Sequence, residues 1–144
     1  MSTQSLNECC IIKFKLGSEE YGLPAESIAE VIRVPEINKL PNTEDYLLGV
    51  IKVKGTIIPI IDLKKKLTGD YTHLKEDCRI VVMEINYSEV GLLVESLDSN
   101  LSCEYTEMET GEDIYSEIPE NYLLGIAHNE NSAVRILNEQ AILG

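Results

Sequence analysis

Asp62 is the carboxylate with the sharpest surroundings, because it ends the run Ile57-Ile58-Pro59-Ile60-Ile61. A carboxylate in such a position is a candidate general acid or base. It equally suits the N-cap of a short helix, and the counterpart of Asp62 in an internal repeat is Asn138, which can cap but cannot act as an acid. Capping is therefore the preferred reading. His73 and His128 have no orienting partner nearby in sequence, as a general base requires. Cys9, Cys10, Cys78 and Cys103 show neither CxxC nor Cys/His spacing, so reduced, packing thiols are expected rather than a zinc site. Cys10 continues the inward alternation of Ile12, Phe14 and Leu16.

The acids between Glu104 and Glu117 alternate irregularly with Tyr105, Met108 and Thr110, which fits a solvated loop better than a metal site. Glu107, Glu109 and Asp113 would serve a small acidic-loop enzyme, the competing reading. No phosphate-cradling glycine loop, GxSxG, HExxH or Asp-rich calcium loop is present. A protein without catalysis and without a required cofactor is expected.

Composition narrows the classes further. Acidic residues outnumber basic ones by 25 to 12, and the basic run is Lys64 to Lys66, which disfavours a nucleic-acid partner. No apolar stretch approaches the roughly 20 residues of a membrane span, and the N-terminus lacks a charged start before an apolar region. A soluble, cytoplasmic protein follows as the expectation.

The elements that must position these residues come in two related copies. YLLGVIKVKGTIIPIIDLKKKL, from Tyr46, returns without a gap as YLLGIAHNENSAVRILNEQAIL, from Tyr122. IIKFKLGSEEYGLPAESI, from Ile11, returns as IVVMEINYSEVGLLVESL, from Ile80, with Gly22 on Gly91. Such repetition is weighed first because it changes the reading of a whole fold.

Alternation over Cys10 to Leu16 followed by Gly17-Ser18-Glu19-Glu20 predicts a hairpin, as does Ile80 to Val94 around Asn86-Tyr87-Ser88-Glu89. Pro24 to Glu30 and Pro41 to Tyr46 read as helical turns, and Val31 to Val34 as extended. Lys54-Gly55-Thr56 reads as a turn, Pro59 as the mark of an edge or bulged strand, and Thr68 to Asp77 as a linker. Many short strands and few helices predict a mainly β chain of two small barrels packed side by side, with a single sandwich as the alternative. The chain is read as one domain, residues 1–144, with subdomains at approximately 9–69 and 70–144, and chain entry and exit allow a strand to be exchanged between them.

These residues resemble the CheW family of bacterial chemotaxis adaptors. The matching stretches are EEYGL at Glu19 to Leu23, Ile28 to Val31, and GVIKVKGTIIPIIDL at Gly49 to Leu63, which resembles the family's GVINLRGxxxPxxDL. VGLLVESL at Val90 to Leu97 and YLLGIA at Tyr122 to Ala127 extend it from about Cys10 to Leu143. The resemblance implies two five-stranded SH3-like barrels with short helical turns. It also implies an adaptor that couples methyl-accepting chemoreceptor tips to the regulatory domain of a CheA-like histidine kinase, recruited from the cytoplasm to receptor arrays. By this resemblance Ile28, Glu30, Lys54, Val90, Gly91 and Leu97 face the receptor, in a groove between the barrels. Ile37, Asn38 and Gly49 face the kinase. Two positions depart from the pattern: Lys54 replaces an arginine, and Asn100 stands where an apolar residue is usual. Lysine cannot make the two-pronged contact of guanidinium. A divergent paralogue, or a scaffold for another kinase pathway, is the alternative.

Overall fold

The structure, a computed structural model, describes residues 11–17, 19–97, 107–109, 122–128 and 133–143. The strands are β1 (Ile11–Leu16), β2 (Glu19–Pro24), β3 (Ile28–Arg33), β4 (Leu47–Val53), β5 (Thr56–Asp62), β6 (Arg79–Ile85), β7 (Ser88–Val94), β8 (Ser96–Leu97), β9 (Glu107–Glu109), β10 (Leu123–His128) and β11 (Ala133–Leu137). Two short helices, α1 (Leu63–Thr68) and α2 (Glu139–Leu143), follow β5 and β11, and a 3-10 turn at Ala25–Ser27 precedes β3. The mainly β expectation holds. The strands form two sheets, one of five strands in the order β3-β6-β7-β5-β4 and one of six in the order β8-β1-β2-β11-β10-β9.

The compact units differ from the halves divided at residues 69 and 70. An insert unit comprises Ser27–Ser96, and a terminal unit comprises Met1–Glu26 with Leu97–Gly144. The cause lies in the pairing. In the insert unit β5, from the first copy of the repeat, lies parallel to β7, from the second, with Ile60 opposite Gly91. In the terminal unit β11, from the second copy, lies parallel to β2, from the first, with Ile136 opposite Gly22. Each sheet thus takes one hairpin from each copy.

The repeat also carries its irregularities. β4 and β5 pair with a bulge between Leu47 and Gly49, and β10 and β11 with a bulge between Leu123 and Gly125. Gly22 and Gly91 are equivalent close approaches. A Cβ on Gly91 would lie 2.5 Å from Ile60 Cδ1 and 2.8 Å from Ile80 Cγ2, and one on Gly22 2.5 Å from Ile11 Cγ2 and 3.0 Å from Val134 Cγ1. The core of the insert unit gathers Ile51, Ile58, Ile60, Ile80, Val82 and Leu93, with the Cys78 thiol buried among them. That of the terminal unit gathers Ile11, Val134 and Ile136. Cys9, Cys10, Cys103, Asn100 and most of the acidic Glu104 to Glu117 stretch lie outside the described residues, and Glu107–Glu109 is a strand paired with β10.

Several local expectations need correction. Only Ala25–Ser27 is helical in the stretch from Pro24 to Glu30, so Ile28, Ala29 and Glu30 belong to a strand. Pairing with β6 supplies backbone partners that one isolated turn cannot. Residues 41–46 form bends and a turn rather than a helical turn. β5 is not an edge strand, since it lies between β7 and β4. Pro59 is accommodated because the ladder to β7 spans only Ile60 to Asp62, leaving Val50 of β4 as its registered partner.

Asp62 does cap α1, and it does more. Its Oδ1 accepts from the Lys65 N–H at 3.3 Å and from the Thr72 hydroxyl at 2.7 Å, while Oδ2 accepts from the Thr72 N–H at 2.9 Å. The side chain is buried, so these bonds replace its hydration. Residues 68–77 are therefore no free linker: Thr72 is buried and pinned to the start of the helix. At the other end Gly69, at φ 93°, closes α1 by donating to the Lys65 carbonyl at 2.9 Å. Asn138 repeats the cap, accepting from Gln140 N–H at 3.1 Å and Ala141 N–H at 3.4 Å.

Two outcomes follow for stability. Asp62→Ala should cost about 2–4 kcal/mol, combining a lost cap with buried donors left unpaired. Urea titration reads the loss, and hydrogen exchange should quicken at the Thr72 amide more than at Val82; an unchanged Thr72 amide contradicts the pinning. Gly91→Ala should cost about 1–3 kcal/mol through overpacking, and Ile60→Val, which removes the colliding methyl, should recover part of it. Additive losses in the double variant contradict the assigned contact.

Candidate functional site

The residues from Val34 to Tyr46 have little regular structure, yet their path is fixed. Asn38 makes an isolated antiparallel bridge to β4: its N–H donates to the Val50 carbonyl at 2.9 Å, and the Val50 N–H donates to the Asn38 carbonyl at 2.9 Å. Gly49 permits this approach. Its φ of 150° suits glycine, and a Cβ there would collide with the Asn38 carbonyl and lie 3.0 Å from Ile37 Cγ2. Ile37 and Asn38 are thus brought into contact with Gly49, which lies eleven residues beyond Asn38 in sequence.

This fixed segment forms one wall of a cleft of about 740 Å³ within the insert unit, and residues 71–74 form another. The apolar lining includes Leu40, Leu47, Leu48, Tyr71, Leu74 and Leu93. Leu40, Tyr71 and Leu74 are 43%, 50% and 61% exposed, so the cleft presents apolar surface to solvent. α1 holds the walls together. Lys65 Nζ lies 3.7 Å from Asp45 Oδ2 and 4.3 Å from the Tyr71 ring centroid, while Lys66 Nζ lies 4.2 Å from the Tyr46 centroid. Partly buried cations over aromatic faces favour such positions by about 0.5–2 kcal/mol. Leu40, Tyr71 and Leu74 carry no motif or repeat signal, and only their apolar character within polar segments could have drawn notice.

The other candidate residues are differently placed. β3, β6 and β7 set Ile28, Met83 and Val90 in one cross-strand row, and Glu30, Val82 and Gly91 in the next. A bulge between Ile28 and Glu30 re-aims the strand there. Ile28, Glu30 and Val90 are half-buried, whereas Gly91 is fully buried and its surroundings are filled by isoleucines. Lys54 is exposed in the β4–β5 turn, at the opposite end of the strand order from β3. Strand pairing does not bring it beside Ile28 and Glu30. Lys54 and Gly55 have φ of 52° and 84°, the pattern of a type I′ turn, which lysine adopts at a cost that asparagine would avoid. Leu97 is half-buried in β8 and belongs to the terminal unit.

Among the described residues the candidate positions present packing surfaces. Among the described residues no cluster of three or more His, Cys, Asp or Glu could hold a metal ion. Asp62 has its oxygens engaged by the backbone and Thr72, and His73 lies exposed with its carbonyl accepting from the Cys78 thiol at 3.6 Å. Among the described residues no helix is long and apolar enough to cross a membrane.

Comparison with known proteins agrees with this geometry. The family model for the CheW-like domain matches residues 11–144. The chain is 27% identical over 113 residues to the chemotaxis protein CheW of Klebsiella aerogenes, covering 78% of this chain and 68% of that protein. It is 23% identical over 133 residues to CheW of Bacillus subtilis, covering 92% and 85% of the two chains. A similar solved structure is the scaffolding protein TtCheW from Thermoanaerobacter tengcongensis, with a TM-score of 0.84, 28% identity, and coverage of 95% of this chain and 88% of that one. The doubled hairpins and the near-complete match lead to one assignment: the chain belongs to the CheW-like family of chemotaxis scaffold proteins.

Proposed function

We propose that the protein is a non-enzymatic adaptor that couples the cytoplasmic tips of chemoreceptors to the regulatory domain of a CheA-like histidine kinase, working in the cytoplasm at membrane receptor arrays. Family membership supports the adaptor class. The observation that favours distinct partner surfaces is the separation of the candidate residues within the insert unit. Ile37, Asn38 and Gly49 meet at the β4 edge, whereas Ile28 and Glu30 lie on β3 at the other end of the strand order.

In this reading the kinase meets the Ile37–Asn38 segment, and Gly49 acts through the backbone it allows to approach. The receptor meets Ile28, Val90 and Glu30, and Lys54, in the β4–β5 turn on the other side of the strand order, supplies a positive charge outside that row. Gly91 supports that face by letting Ile60 pack beneath it. Half-buried Ile28 and Val90, on either side of the buried Met83 and with Glu30 in the next row, suit the apolar face of a helical partner. Lys54 adds a physical argument: a strained backbone conformation persists more readily where the side chain has a task.

Ile28→Asp should weaken binding of a receptor-tip fragment at least tenfold, about 1.4 kcal/mol, while a kinase regulatory domain still binds. Titration of each partner, with circular dichroism to confirm folding, provides the check. Normal receptor binding, or equal loss of both partners, contradicts the assignment. Lys54→Asn should leave stability equal or higher and weaken the receptor about tenfold, whereas Lys54→Arg retains binding. Undiminished receptor binding by Lys54→Asn would remove Lys54 from the face.

A further inference from the structure

We infer that the cleft of the insert unit is a docking groove for a basic, apolar segment of a partner protein. The inference rests on the adaptor reading only in taking Ile37 and Asn38 as partner-facing. It adds the chemistry of the partner and the residues Leu40, Tyr71 and Leu74. Single exposed apolar side chains are ordinary on a protein surface, but a contiguous group marks an interaction site. Among the described residues three of the large exposed hydrophobics, Leu40, Tyr71 and Leu74, line this one cleft.

The volume of about 740 Å³ falls in the range of ligand sites, yet Leu74 at 61% exposure leaves the side open. An open groove cannot enclose a small molecule, but it can seat a segment whose apolar side chains lie inward and whose charges meet the rim. The rim sets the sign of those charges. Asp45 is paired with Lys65 at 3.7 Å, which leaves Glu36 and Glu44 as exposed lining acids against the lining lysine Lys39. Asp62 also lines the cleft, but its carboxylate is buried and occupied by Lys65 and Thr72. The walls are held before any partner arrives, by the Asn38–Val50 bridge on one side and the Asp62–Thr72 bonds on the other. Such preorganisation lowers the ordering cost of association.

The test is calorimetric titration of the full chain with a short amphipathic peptide of leucine and lysine, and with its leucine–glutamate counterpart, near physiological ionic strength. The lysine peptide should bind at least tenfold more tightly than the glutamate peptide. Leu74→Asp and, separately, Leu40→Ser should each weaken the lysine peptide at least tenfold, although the former makes the protein more negative. Glu36→Gln with Glu44→Gln should weaken it several-fold. Undiminished binding to Leu74→Asp would show attraction to net charge alone and overturn the groove; that attraction would favour the terminal unit, which carries fourteen of the 25 acidic residues and three of the 12 basic ones. Sedimentation showing a dimer that Leu74→Asp dissolves would make a second copy the occupant, and would also overturn it. No receptor or kinase enters this titration. Peptide binding with no response to either signalling partner would leave the groove standing and remove the adaptor reading, and the converse result would do the reverse.

Discussion

The close parallel approach of β5 to β7 at Ile60 and Gly91, and of β11 to β2 at Ile136 and Gly22, is the constraint on which the rest of the molecule depends. Each contact joins a strand from one copy of the repeat to a strand from the other. Both sheets are consequently composite, and the chain must leave the terminal unit after Glu26 and return at Leu97. Glycine is what permits the approach, because its place beside the packed isoleucines has no room for a Cβ. A break at Gly69 would leave both sheets without a neighbouring hairpin, although it falls on an exposed residue. The repeat thus describes how the sequence is related to itself, whereas the pairing describes what is cooperative.

Once β5 is fixed, Asp62 connects the framework to the surface. It lies in the last registered pair with β7, caps α1, and holds Thr72. Through these bonds one buried carboxylate joins the core strand, the helix and a wall of the cleft. Both of its oxygens are engaged in that role. The lysines of α1 then reach the aromatic rings and Asp45 around the same cleft. In the adaptor reading proposed above, function depends on which surfaces are kept accessible, since a fold hosts a site without dictating it.

Much of this was legible in the residues. The hairpins, the Lys54-Gly55 turn, the Asp62 cap and the Gly69 stop all depend on short-range chemistry, which a local pattern reports directly. The mainly β class followed from the density of such signals. Ile28 to Glu30 was misread as helical because propensity over three residues is weak beside pairing with β6. Of the two readings of Pro59, edge or bulged strand, the edge fails because the length of the ladder to β7 is a long-range property. The segment around Thr72 looked like a linker because polar composition cannot reveal a partner ten positions away, and the cleft it helps to form was hidden with it. The residues proposed to face the kinase and the receptor came from the family pattern, since nothing in a lone isoleucine or lysine separates contact from packing or solvation.

The central claim is that one copy of this chain holds two partners at once on separate surfaces. The most direct measurement is the mass of complexes formed when a receptor-tip fragment and a kinase regulatory domain are mixed with the full chain, separately and together. The account predicts that each partner binds alone and that a ternary complex forms containing both. Mutual exclusion, with either partner displacing the other from the protein, would contradict it.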